Sequence, residues 1–163
     1  MEASYIYNKI IELSREKFLY SSIKIEDCFI SRLILIFLHF AFLFKKFKQI
    51  DELDKKFSQD MFDYMFNQIE ANIRELGYGD LSVNKKMKIY VNHFYDILIK
   101  CDNYDNMTNE EKSNFFKTLF SLNSTSKGIK LDDLVLYFDK FSIFSSNLSF
   151  NRIKDGDINF TYY

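Results

Sequence analysis

Glu75 and Asp80 flank the turn Gly77-Tyr78-Gly79 and could share a proton as acid and base. The same turn resembles a phosphate loop only superficially, because Gly77–Asp80 is too short to cradle a pyrophosphate. Arg74, Glu75, Asp80, Lys85, Lys86 and Lys88 gather six charges of both signs around it, the usual pattern of a salt-bridged surface. His39 and His93 are the other groups that could do chemistry, as haem or metal ligands. Nothing in their positions brings them together, so no metal site is expected. His39 lies among Leu, Phe and Ala, where an imidazole is ordinarily a core group bonded to a carbonyl or carboxylate. The chain has no GxSxG, Walker loop, GxGxxG or HExxH pattern. The Asp- and Asn-rich stretch 102–113 lacks the fixed Gly and closing Glu of a calcium loop. Cys28 and Cys101 lie far apart without a CxxC, which argues against a disulfide scaffold or structural zinc. The residues point away from an enzyme, and no cofactor is expected.

The elements that must position these groups are helical. The 163 residues suit one domain, and the absence of Pro with only 4 Gly favours long uninterrupted helices. A net charge of −1 gives no bulk basic signal for DNA or other nucleic acid. The pattern predicts an all-α fold, a single compact helical domain of about six helices around a central buried apolar helix. The domain is expected to span 1–147, with 148–163 a tail that forms a small hairpin or is disordered.

The first helix is expected over 3–20, with Arg15 near its end and Phe18 and Tyr20 packing in the core. The second spans 26–47, with Asp27 as its cap. Its apolar run, 33–44, is 12 residues, against about 20 needed to cross a bilayer, and Arg32 would sit inside any extension. A buried core helix is the better reading. Peripheral membrane contact through 33–48, helped by Lys45, Lys46 and Lys48, is the alternative. A charged connector, 51–56, leads to an amphipathic helix with Phe57, Met61, Phe62, Met65, Phe66, Ile69, Ile73 and Leu76 on one face. Gly77 should end it, and Asp80 or Ser82 should cap a new helix starting near Val83. Lys85, Lys86 and Lys88 would then crowd the positive end of a helix dipole and face something anionic, or else form a solvated run. Thr108 and Glu111 predict a capping box for a helix over 109–122, a loop covers 124–130, and a last helix covers 131–144.

The run Arg74-Glu75-Leu76-Gly77-Tyr78-Gly79-Asp80-Leu81-Ser82-Val83, followed by Lys85, Lys86 and Lys88, resembles the central signature of the ubiquinol–cytochrome c chaperone family. These are assembly factors for cytochrome b of the bc1 complex in mitochondria and alphaproteobacteria. The likeness covers roughly 14–122 and is dense at 57–88; Asn84 stands where the family carries glycine. Arg15, Phe18 and Tyr20 match an arginine and Phe–Tyr pair that close the family's opening helix. Asp27, Arg32 and His39 match an acid, an arginine and a histidine of the next.

The resemblance implies a non-enzymatic chaperone that holds newly made cytochrome b, with a small helper protein, near the ribosomal tunnel exit. From the residues themselves, a charged lip of Arg74, Glu75, Asp80, Lys85, Lys86 and Lys88 joined to an aromatic- and Met-rich helix face that can re-pack around apolar partners suits a binding module. Its partner- or client-binding candidates are Arg74, Glu75, Gly77, Tyr78, Gly79, Asp80, Lys85, Lys86 and Lys88. Arg15, Tyr20, Asp27, Arg32, His39, Phe62 and Phe66 are candidates for either the core or a client groove. The expected location is the cytoplasm or inner membrane surface of a bacterium, or the mitochondrial matrix, although no signal or transit peptide is visible.

Overall fold

The computed structural model describes residues 2–47, 52–121 and 127–162, the side chains of 52–54 excepted. Helices α1 (Glu2–Ser14), α2 (Lys17–Ser21), α3 (Phe29–Phe47), α4 (Glu52–Glu75) and α5 (Asp80–Asp102) lead to a 3₁₀ turn, Tyr104–Asn106. Helices α6 (Asn109–Phe120), α7 (Leu131–Asn147) and α8 (Phe150–Lys154) follow. The six long helices are those expected; α2 and α8 are single-turn additions, and there is no strand among the described residues.

Helix α3 is the central element. Leu33 to Phe44 are buried without interruption, and α3 packs against α1, α4, α5, α6 and α7. An all-round apolar helix needs neighbours on every side, and aromatic side chains supply them. Phe37 meets Phe94 of α5 at 5.2 Å between ring centroids and Phe66 of α4 at 5.8 Å. Phe42 stacks on Phe138 of α7 at 5.6 Å. The membrane-contact reading of 33–48 is therefore overturned: the apolar face is used internally. Lys45 pairs with Asp105 at 2.6 Å, Lys46 donates to the Ser146 carbonyl at 2.6 Å, and Lys48 lies outside the described residues. No described helix is long and apolar enough to cross a membrane.

His39 is a satisfied core histidine. Its Nδ1 lies 2.6 Å from the Leu35 carbonyl, which can only accept, so Nδ1 carries the proton and Nε2 accepts from the Tyr137 hydroxyl at 2.8 Å. Burial pushes its pKa down to about 4.

Three expectations change. The helix expected over 3–20 breaks at Arg15-Glu16, where Arg15 N–H is shared between the Ile11 and Glu12 carbonyls and Glu16 turns extended (φ −54°, ψ 124°). Tyr20 folds back and donates to the Ser14 carbonyl at 2.6 Å, satisfying an acceptor that the end of α1 leaves free. Asp27 does not cap α3, because both its oxygens are held by Arg32, at 2.6 and 3.0 Å.

In place of a hairpin or disorder, the tail forms α8, capped by the Ser149 hydroxyl, and Leu148, Ile153 and Ile158 are buried in the same core. Gly156 (φ 72°) lies so close to Tyr5 that a Cβ would sit 2.9 Å from the Tyr5 Cβ. Of the charged connector, Asp51 lies outside the described residues and α4 already runs from Glu52; residues 122–126 also lie outside them.

The Thr108–Glu111 capping box forms as expected, with the Thr108 oxygen accepting from Glu111 N–H at 3.2 Å and Glu111 accepting from Thr108 N–H at 2.8 Å. Nearby, Asp139 of α7 receives both Lys112 and the Tyr104 hydroxyl at 2.9 Å, tying α6 and the 3₁₀ turn to α7.

Candidate functional site

A groove of about 410 Å³ opens between α1, α3 and α4. Its floor is apolar: Leu33 and Ile36 from α3, Ile69 from α4, and half-buried Ile11 from α1. Its rim is charged and polar, with Arg15, Arg32, Asn72 and Glu75, and two exposed apolar side chains, Phe29 and Leu76, stand at its edge. The break after Ser14 places Arg15 there, beyond the last turn of α1.

Arg32 is oriented by Asp27, whose carboxyl is held below its ordinary range first by that hydrogen bond and then by the guanidinium charge. Arg15 forms no ion pair among the described residues. Burial pushes the nearby Tyr20 phenol up to about 12, with the Asp27 carboxylate adding to the effect.

The α4–α5 turn closes one end of this groove through Glu75 and Leu76. Arg74 joins it together, donating to Glu70 at 3.1 Å and to Asp80 across the turn. Helix α5 starts earlier than the expected Val83. Gly79 is the cap residue, the Val83 N–H bonds the Gly79 carbonyl at 2.9 Å, and the Asp80 carboxylate faces Arg74 instead of capping. Lys85, Lys86 and Lys88 consequently fall in the second and third turns of α5, where the helix dipole acts weakly on them. Lys86 lies over the Tyr78 ring, 4.5 Å from its centroid.

Gly77 has φ 95°, a left-handed conformation, whereas Gly79 has φ −77°; a Cβ at either would meet nothing within 4 Å. Gly77→Ala should therefore cost about 1 kcal/mol through backbone strain alone. Gly79→Ala should change the melting temperature much less, and equal losses in the two variants would contradict this account.

The residues singled out in sequence divide four ways. Arg74, Glu75, Gly77, Tyr78, Gly79 and Asp80 form the turn, and Lys85, Lys86 and Lys88 lie beside it on α5. Arg15, Arg32 and Glu75 meet at the groove, with Asp27 behind Arg32. His39, Tyr20 and Phe66 belong to the packed interior or its closure, while Phe62 lines a separate depression with Phe44, Phe94 and Tyr95. Met61 and Met65 are fully buried, so α4 offers no methionine-rich surface.

Glu75 and Asp80 do not form an acid–base pair, since Asp80 is bound to Arg74 while Glu75 faces the groove. No cluster suited to a metal occurs among the described residues. Such a groove can hold apolar side chains, with charge at its mouth to orient what enters. Ile69 lies on the apolar face expected of α4, but that pattern does not show that it lines a cleft with Ile11 of α1. Asn72 carried no signal at all.

A family model described as "Ubiquinol-cytochrome C chaperone" matches residues 21–114, which include α3, α4, the turn and α5. The chain belongs to this family. Two walls of the groove, α3 and α4, thus come from the part matching the ubiquinol–cytochrome c chaperones, while the α1 wall lies outside the match. The crystal structure of the Cbp3 homolog from Brucella abortus is similar in fold, with a TM-score of 0.78 and 20% identity. The likeness covers 98% of this chain and 88% of that one. No curated protein matches the sequence.

Proposed function

We propose that this chain is a non-enzymatic assembly chaperone that binds newly made cytochrome b and promotes formation of ubiquinol–cytochrome c reductase. The observation that carries this reading is the apolar-floored groove beside the signature turn, built largely from family-matched helices. A membrane subunit outside the bilayer exposes apolar side chains that a chaperone must cover, and Leu33, Ile36 and Ile69, themselves almost fully buried, floor the cleft that would receive them. Arg15 and Arg32 at the mouth suit an acidic or carbonyl-rich flank of such a segment. Capture near the ribosomal tunnel exit, a small helper protein and work at the inner membrane surface are further parts of the proposal.

Asn72→Trp tests it. Asn72 is exposed on α4 and borders the groove, so an indole there should plug the cleft without disturbing the core. Tagged protein purified in gentle detergent should recover cytochrome b, identified by mass spectrometry, and the Trp variant should recover about tenfold less or lower still. Helical circular dichroism and melting should be unchanged. Undiminished recovery by the folded variant would remove the groove from the mechanism.

A further inference from the structure

Ten large hydrophobic side chains stand exposed among the described residues, and six of them fall within 76–99. Four lie on α5: Leu81 (88% exposed), Ile89, Tyr95 and Ile99 (67% exposed). Lys85, Lys88, Tyr95 and Ile99 follow Leu81 at offsets of 4, 7, 14 and 18, so they share one outward stripe along about 27 Å of helix. Between 81 and 100 the sequence holds four lysines and a single acid, Asp96, in a chain whose net charge is −1. Lys85, Lys86 and Lys88 form no ion pair among the described residues. At the turn that begins this stripe, a Cβ at Gly77 or Gly79 would meet nothing within 4 Å.

We infer that the outward face of α5 docks on an anionic lipid surface. Apolar side chains interleaved with unpaired lysines are the composition of a helix lying in a membrane interface. There Leu and Ile enter the acyl boundary while lysine stems extend to the headgroups. A protein partner fits less well, because the cores of protein interfaces are depleted in lysine. The face is separate from the groove between α1, α3 and α4, so this inference does not rest on the client reading.

Full-length protein sedimented with vesicles of phosphatidylcholine mixed with phosphatidylglycerol tests it, with pure phosphatidylcholine vesicles as comparison. Binding should be confined to the anionic vesicles and should weaken as salt is raised. The charge reversal Lys85→Glu with Lys88→Glu, and separately Leu81→Asp with Ile99→Asp, should each lower the vesicle partition coefficient about tenfold or more. All four positions are exposed, and unchanged circular dichroism will show the variants folded. Asn72→Trp should sediment like the parent, which separates failure here from failure of the groove. The inference is overturned by no sedimentation at low salt or by equal binding to both vesicles. Undiminished vesicle binding by either folded pair of substitutions also overturns it, and if that pair loses captured proteins instead, the face is a protein surface.

Discussion

Phe138→Ala is expected to cost about 3–5 kcal/mol of folding stability. Phe138 is fully buried in α7, and its ring lies between two others, stacked on Phe42 of α3 at 5.6 Å and on Phe116 of α6 at 5.3 Å. The His39 ring approaches it at 5.2 Å. Three helices therefore lose contact with one another through a single truncation. The neighbouring rings are stiff and packed by still others, so they cannot collapse into the space as aliphatic chains do. Chemical denaturation should show a lower midpoint with an unchanged slope. Ile143→Ala, on the same helix but 63% exposed, should stay within about 0.5 kcal/mol of the parent. A Phe138→Ala loss below about 1 kcal/mol would mean that this aromatic core repacks freely, contrary to the geometry.

The same residues explain what could and could not be read from sequence. Leu33 to Phe44 is apolar at every position, which forces burial on all sides whatever surrounds it, and the central helix was legible for that reason. Thr108 and Glu111 were legible because a capping box is local: donors and acceptors lie within four residues. The break at Arg15 was not, because it depends on Tyr20 reaching back to the Ser14 carbonyl, and the apolar pattern runs on through Phe18 and Leu19. The start of α5 was misplaced because Asp80 is equally good as a cap and as a partner for Arg74. Its choice depends on where α4 ends in space. The turn itself could be marked by its residue types, but the groove is a gap between three helices, and no spacing along one helix encodes a gap.

Acid should destabilise the protein through His39 before most carboxylates titrate. The unfolded imidazole has a pKa of 6.5, whereas burial holds the folded one at about 4. The unfolded state therefore binds the extra proton across this window, so stability is intact above pH 6.5 and falls as pH drops toward 4. At about 1.4 kcal/mol per unit, the full loss approaches roughly 3 kcal/mol. Asp27 and Asp157 act in a lower range, since Arg32 and Arg152 respectively hold their carboxyls below the ordinary 3.8. His93 shifts in the same direction as His39 through partial burial and adds to the slope.

The double substitution His39→Leu with Tyr137→Phe isolates the effect. It removes the titrating ring together with the hydroxyl that donates to it, so no buried polar side chain is left unpaired, and the Leu35 carbonyl keeps the backbone N–H of its own helix. Denaturation midpoints measured from pH 7 to pH 4 should fall steeply in the parent and distinctly less in the double variant. Equal slopes would mean that the histidine is reached by water and protonated in the folded state. The tight contacts of His39 with Leu35, Tyr137, Phe138 and Phe141 would then have to open without unfolding the domain, although they join its central helix to α7.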